Sequence, residues 1–432
     1  MKKIIYPQIN FNKTIIIKNL PGDKSISHRS ILLSSIASGN TEIYGFLKSK
    51  DCFSTIDCLT KLGINIKILK NKIIVEGKGL YGLSKPNKIL DVGNSGTTLR
   101  LLSGLLSAQN FSSNITGDYS IQKRPMNRIF NPLSQMGAIF KSKTSFAPFK
   151  IEGTSLEGIN YTMPIASAQV KSAILIAGLY AKGETIITEP QKTRNHTEIM
   201  LNYLGADIKT LGNKIICKST KKLYAQKIYI PGDISSAAYL IVATCICKNL
   251  HMIIENICLN PTRTGIIDVL KKMGADININ KKRIICGEYV GNIEIKSSKL
   301  KGIIIEGDII PRLIDEIPII AVAACFADGE TIIKNAQELK VKESNRIKTI
   351  TEELNKLGAN ISATNDGLII KKVKKLTGNE LDSHNDHRIA MSIAIAALKC
   401  DGKTIIKNAE CTDISFPNFF DYITNFFNNN LD

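Results

Sequence analysis

The chain has no tryptophan, and its aromatic share is only 6%. A surface that stacks nucleic-acid bases needs interleaved aromatics, so this scarcity argues against a nucleic-acid partner despite a formal charge of +19. Ten cysteines include no Cys-x-x-Cys pair and no clustering with the five histidines, which excludes a structural zinc or a disulfide framework. Cysteines in runs such as Ala324-Cys325-Phe326 read as small core hydrophobes. Apolar runs such as Ile317–Phe326 and Ala237–Cys247 stop at about ten residues, too short to span a bilayer. The opening Met-Lys-Lys-Ile-Ile-Tyr-Pro lacks an apolar h-region, so the expectation is a cytoplasmic protein with no membrane partner.

Arginine is also scarce. Of 57 cationic residues only ten are Arg: 29, 100, 124, 128, 194, 263, 283, 312, 346 and 388. The many lysines are dispersed and act mainly on solubility and weak anion attraction. Arg offers a fixed bidentate fork for phosphate and carboxylate, so its placement carries more information. All but Arg263 and Arg283 fall in the motifs below.

What is present is repetition. An apolar-Gly-small-x-Ile phrase closes helical stretches at Gly63, Gly137, Gly205, Gly274 and Gly358, spaced 74, 68, 69 and 84 residues apart. A second phrase, Gly-x-Thr-x-Ile, recurs at Gly39, Gly183, Gly329 and Gly402. Each unit reads as helix, strand, second helix, then hairpin; about 70 residues repeated six times fills the 432-residue chain. The expected fold class is therefore α/β. The turns Pro21-Gly22-Asp23 and Pro231-Gly232-Asp233 open two comparable halves. They give a first domain over 21–231 and a second over 232–432, rejoined by residues 1–20.

Several polar clusters precede apolar helices. Lys24-Ser25-Ile-Ser-His28-Arg29 makes either an ordinary cap or an anion site at a helix start. Gly93-Asn94-Ser95-Gly96-Thr97-Thr98-Leu99-Arg100 opens another helix, its glycines permitting close backbone approach. Lys123-Arg124-Pro125 and Arg128 place cations around a proline that fixes a helix start. Ser167-Ala168-Gln169 and Arg194-Asn195-His196 read equally as caps. Pro311-Arg312-Leu-Ile-Asp315-Glu316 puts two acids before an apolar run, as cap or as general base. Glu343 and Arg346 stand at i, i+3 and are expected on one helix face, as a surface ion pair or part of a site. Ser383 to Arg388 packs a dense polar group before a helix and favours an anion site. Cationic or Gly-rich helix starts thus recur in both halves, with carboxylates expected only in the second.

The ordered set Lys24-Ser25-x3-Arg29, Gly93-Asn94-Ser95-Gly96-Thr97, Lys123-Arg124-Pro125, Ser167-Ala168-Gln169, Asp315-Glu316, Lys342-Glu343-x2-Arg346 and Asn385-Asp386-His387-Arg388 resembles the 3-phosphoshikimate 1-carboxyvinyltransferase (EPSP synthase) family. The resemblance runs from about Leu20 to Phe420. It implies two similar domains of three repeated helix/sheet units each, with an active site in the inter-domain cleft. It also implies transfer of the enolpyruvyl group of phosphoenolpyruvate to the 5-hydroxyl of shikimate 3-phosphate, without metal or organic cofactor, by a monomer. By position, it gives Lys24, Ser25, Arg29, Ser167, Ala168, Gln169, Arg194, Asp315 and Lys342 to shikimate 3-phosphate. Phosphoenolpyruvate falls to Lys24, Gly96, Arg124, Gln169, Arg346 and Arg388. Asp315 is implied as the base, and Glu343 with Lys24 as the acid.

Some positions depart from the family pattern. Ile414 stands where many relatives carry a Lys two residues before Phe416-Pro417, Ala168 replaces a common Ser, and Leu101 replaces a common Pro. A related class acting on UDP-N-acetylglucosamine usually has Lys-Asn at the first motif and a Cys five residues before Arg-Pro. Here those positions read Lys24-Ser25 and Tyr119, which argues against that class.

Overall fold

The computed structural model describes residues 1–7 and 10–427. Contacts divide the chain into two compact units. The first comprises Gly22–Ile230 and the short segment Ile284–Glu288; the second comprises Met1–Pro21, Pro231–Arg283 and the chain from Tyr289 onward. The 284–288 segment departs from a simple division at residue 231. It is the turn between strands Asp276–Ile285 and Glu288–Lys296, which belong mainly to the second unit, yet it packs with the first.

One motif builds both units. In the first unit an inner helix (Lys24–Ser35, Gly96–Ser107 or Ala168–Gly178) leads to a strand, an outer helix (Lys50–Lys61, Asn127–Gln135 or His196–Tyr203) and a pair of antiparallel strands. Each sheet then has the same pairing. Strand Glu184–Thr188 lies parallel to Asn160–Thr162 on one side and antiparallel to Lys214–Lys218 on the other. Ser38–Tyr44 and Ser112–Thr116 are placed likewise in their own sheets. The second unit repeats the scheme with inner helices Ile234–Ile246, Ile317–Ala324 and His387–Ala397. The N-terminal chain completes it: Asn10–Ile17 pairs parallel with Lys248–Cys258, and Lys2–Ile5 pairs antiparallel with Thr404–Lys407.

The two helix classes differ in sequence for a physical reason. Outer helices bury one face; Lys50–Lys61 buries Asp51, Cys52, Thr55, Ile56, Cys58 and Leu59 and keeps Lys50 and Asp57 outward. Inner helices are buried nearly all round, so they consist of apolar and small residues, as in Ile-Pro-Ile-Ile-Ala-Val-Ala-Ala over Ile317–Ala324. The Ser-rich helix Lys24–Ser35 tolerates burial because Ser30 and Ser35 donate back to the carbonyls of Ser27 and Leu32 at 2.8 and 2.7 Å. Between inner and outer parts the chain must reverse abruptly. Gly63, Gly137, Gly205, Gly274 and Gly358 all adopt positive φ, from 86° to 103°, which is why the repeated phrase keeps Gly there.

Close helix approach is set by a second kind of glycine. Helix Gly96–Ser107 packs on Ala168–Gly178, and a Cβ on Gly104 would lie 2.2 Å from the Ala173 carbonyl oxygen. Gly104→Ala is expected to lower stability by roughly 1–3 kcal/mol, because overpacking against backbone outweighs the alanine's better helix propensity. Thermal unfolding followed by circular dichroism checks this; an unchanged or raised Tm would show that the two helices can part without cost.

Candidate active site

A helix start leaves up to four backbone N–H groups without helical partners, and each inner helix brings its start into the protein. In the first unit the caps are Asp23, Ser95 and Ser167, whose side chains accept from the amides of Ile26, Thr98 and Val170 at 2.9, 3.1 and 3.4 Å. Side chains then tie the three starts together. Arg29 on the first helix donates through Nε to Thr197 Oγ1 at 2.6 Å and through Nη2 to Ser172 Oγ at 2.8 Å. Arg100 on the second donates to Gln169 Oε1 at 2.5 Å, and Gln169 Nε2 returns a bond to Thr97 Oγ1 at 3.1 Å. His28 Nδ1, Thr55 Oγ1, Thr98 Oγ1 and Ser95 Oγ form a buried chain with successive separations of 2.7 Å.

Arg124 lies against the second helix start. Its Nη2 reaches Ser120 Oγ at 3.2 Å and Asn94 Oδ1 at 3.4 Å. A Cβ on Gly96 would lie 2.9 Å from Arg124 Nη1 and 2.8 Å from Arg100 Nη1, so glycine here lets two guanidinium groups approach the backbone. Lys24, half-buried, pairs with Asp51 at 3.0 Å. That corrects the expectation of carboxylates only in the second half: Asp51 lies on an outer helix outside every motif singled out.

The second unit solves the same problem with acids. Asp233 accepts from the Ser235 amide at 2.8 Å and Asp386 from the Arg388 amide at 2.9 Å, while buried Glu316 opens the inner helix Ile317–Ala324 and accepts from Ser235 Oγ. Buried arginines balance them. Arg263 Nη2 bridges Asp233 Oδ1 at 3.0 Å and Ser235 Oγ at 2.7 Å. Arg346 donates to Asp386 Oδ2 at 2.8 Å, Asp315 Oδ1 at 3.2 Å and Glu343 Oε2 at 2.5 Å. Lys342 Nζ stands 3.9 Å from Asp315 Oδ1. Burial opposes charge on Arg346, but Asp386, Glu343 and Asp315 together outweigh it and raise its pKa. Arg388 is likewise buried, and Tyr239, Asp315, Glu316 and Asp233 raise its pKa against the same desolvation.

One further expectation changes. Glu343 and Arg346 do pair, but not on one helix face, because the helix begins at Arg346 and Glu343 lies in the turn before it. Nor is the pair superficial: Arg346 is 2% exposed. At the Ser383–Arg388 cluster, Asp386 caps the helix and also pairs with Arg346.

The implied site residues thus form two groups. Lys24, Ser25, Arg29, Gly96, Arg124, Ser167, Ala168, Gln169 and Arg194 belong to the first unit; Asp315, Lys342, Glu343, Arg346 and Arg388 belong to the second. Local pattern reading missed Asp51, Lys171 and Arg263. The last two carried a signal, a lone cation beside apolar or capping residues. Among the described residues no group of His, Cys, Asp and Glu is arranged to hold a metal, and no helix is long and apolar enough to cross a membrane. Nine of the ten cysteines are buried, and burial pushes thiols such as Cys52 and Cys325 up to about 12.

Arginine-lined helix starts in one unit and carboxylate–arginine clusters in the other define a protein equipped for small anionic substrates and proton transfer. The chain belongs to the EPSP synthase (3-phosphoshikimate 1-carboxyvinyltransferase) family, whose model matches residues 10–423. It is 56% identical over 403 residues to the 3-phosphoshikimate 1-carboxyvinyltransferase of Thermoanaerobacter sp. (strain X514), covering 93% of this chain and 95% of that one. The Bacillus cereus (strain B4264) enzyme of the same name is 52% identical over 404 residues, covering 93% and 94%. The structure of EPSP synthase from Acinetobacter baumannii superposes with a TM-score of 0.87 at 43% identity, covering 98% of each chain.

His28 provides a test of the buried network. Burial, followed by Lys24 and Arg29, lowers its pKa well below 6.5. The unfolded chain therefore takes up a proton near pH 6.5 that native His28 refuses, so this residue makes stability fall as pH drops below 6.5. His28→Asn is expected to flatten the acid limb of Tm between about pH 6.5 and 5 relative to the parent chain. Superimposable limbs would mean that native His28 protonates freely.

Proposed function

We propose that this chain transfers the enolpyruvyl group of phosphoenolpyruvate to the 5-hydroxyl of shikimate 3-phosphate, releasing phosphate, in the pathway to chorismate and the aromatic amino acids. The observation that carries the reading is the convergence of Asp315 and Glu343 on the Arg346 guanidinium, at 3.2 and 2.5 Å. An anion delivered to Arg346 arrives beside two carboxyl groups able to move protons.

In this reading Lys24, Ser25, Arg29, Ser167, Ala168, Gln169, Arg194, Asp315 and Lys342 hold shikimate 3-phosphate. Lys24, Gly96, Arg124, Gln169, Arg346 and Arg388 hold phosphoenolpyruvate. Asp315 takes the 5-hydroxyl proton as that oxygen bonds to C2 of phosphoenolpyruvate. Glu343, assisted by Lys24, delivers a proton to the methylene carbon, giving a tetrahedral adduct. Loss of a proton from the resulting methyl group and departure of phosphate restore the double bond in the ether product. The cationic groups bring two mutually repelling anions together and orient the leaving phosphate, an advantage of several kcal/mol over the encounter in water. The reaction needs no metal or organic cofactor. We assign 21–231 mainly to shikimate 3-phosphate and residues 1–20 with 232–432 to the acid/base groups.

We further propose a monomer working in the cytoplasm, since phosphorylated substrates are retained there by their charge. Sedimentation is expected at about the chain mass of 47.5 kDa, and a stable species at twice that mass would reject the monomer. Phosphate release from phosphoenolpyruvate tests the activity itself: it is expected with shikimate 3-phosphate and not with UDP-N-acetylglucosamine. Activity only with the UDP-sugar would overturn the assignment. Asp315→Ala and Glu343→Ala are each expected to lower kcat by about 10²-fold or more, the usual scale for a general acid or base, with folding retained. Near-normal turnover in either folded variant would remove that residue from the chemistry.

A further inference from the structure

Lys171 lies outside every assigned role, yet it is 1% exposed in the inner helix Ala168–Gly178, directly after Val170. A buried ammonium costs several kcal/mol of desolvation, and an apolar side chain of similar volume would fill the same space without that cost. What distinguishes a lysine here is its set of partners. Its Nζ reaches Glu198 Oε1 at 2.7 Å, Glu189 Oε2 at 3.1 Å and the Thr193 carbonyl oxygen at 3.4 Å. All three partners lie at the two ends of one short connection, between strand Glu184–Thr188 and helix His196–Tyr203.

That connection carries Arg194. The residue before it, Thr193, is anchored through three groups: its amide donates to Glu189 Oε1 at 3.2 Å, its hydroxyl donates to the same oxygen, and its carbonyl accepts from Lys171. Beyond Arg194, Glu198 holds the first turn of the next helix against Lys171. The neighbouring pair extends the clamp. Ser172, adjacent to Lys171, lies 2.7 Å from Thr197 Oγ1, adjacent to Glu198, and Arg29 donates to both hydroxyls. One ammonium therefore fixes the backbone on both sides of Arg194 and the hydroxyl pair that orients Arg29.

We propose that Lys171 is a positioning residue for shikimate 3-phosphate recognition, holding Arg29 and the Arg194 segment in the geometry that takes this substrate. This rests on the proposed function, and the test keeps the two separable. It requires only that the parent chain turn over both substrates, which a failed activity assignment would prevent before any variant is made.

Lys171→Met keeps length and removes the charge; Lys171→Arg keeps the charge. For Lys171→Met the KM for shikimate 3-phosphate is expected to rise at least tenfold, with the KM for phosphoenolpyruvate and kcat each within about threefold of the parent. Lys171→Arg should recover most of the affinity. Calorimetric titration with shikimate 3-phosphate alone should show the same loss. If Lys171→Met does not fold, Glu189→Gln removes one carboxylate charge from the same clamp, and a smaller rise of about threefold or more, in the same KM only, is expected. Equal loss for both substrates, loss in kcat alone, or parental kinetics in the folded variants would overturn the proposal and leave Lys171 a structural charge.

Discussion

Everything in this molecule turns on the inner helices of the two units, whose N-terminal ends are buried or half-buried. A buried N–H group without a partner costs about as much as a lost hydrogen bond, and the partial positive charge at a helix start adds to the demand for an acceptor. Each repeat therefore has to furnish a cap, and the choice of cap fixes what else the position can bind. Ser95 and Ser167 satisfy one amide apiece without adding charge, so cations such as Arg100 and Arg124 gather at these starts without a fixed counter-carboxylate in the cap itself. Asp233, Glu316 and Asp386 place carboxylates at the equivalent starts and draw Arg263 and Arg346 into burial. The two units thereby differ at these starts, with Asp23, Ser95 and Ser167 in the first and an acid at every start in the second.

The preference for arginine follows from this geometry. Arg346 meets three carboxylates through Nε, Nη1 and Nη2 at once, and Arg29 meets a carbonyl and two hydroxyls with the same three nitrogens. A lysine has one nitrogen on a flexible stem and cannot hold three fixed directions in a plane. This explains why so few of the cations are Arg and why most of those few sit at helix starts, while the lysine excess is spread over exposed surface. Lys171 is the exception, and there the three partners surround a single point.

Much of this was legible in the chain itself. The spaced glycines revealed the repeat because a sharp reversal after each outer helix demands positive φ at that position, and the demand is local. The motifs at Lys24, Gly93, Ser167, Asp315 and Ser383 were legible for the same reason, since caps lie within a few residues of the amides they serve. What could not be read was pairing across distance. Asp51 meets Lys24 from a neighbouring helix, and Arg263 meets Asp233 from 30 residues away, with nothing in either local pattern to announce it. Glu343 and Arg346 show the opposite failure. Their spacing is helical, but the polar stretch Lys342-Glu343-Ser344-Asn345 spends itself on a turn and a cap, with Asn345 accepting from the Lys348 amide at 3.2 Å.

The shared guanidinium also bears on the proposed division of roles, one carboxyl group acting as acid and its neighbour as base. Asp315 and Glu343 meet different nitrogens of Arg346, and Asp315 also has Lys342 within 3.9 Å. An anionic ligand that takes up the Nη2 side competes with Glu343 and adds negative charge beside it; both effects raise the affinity of that carboxyl for a proton. In the proposed reaction the arrival of substrate therefore favours a proton on Glu343, the proposed acid. The Asp386 anchor makes this workable: it holds Arg346 through Nε, so the guanidinium keeps its place while its other partners exchange.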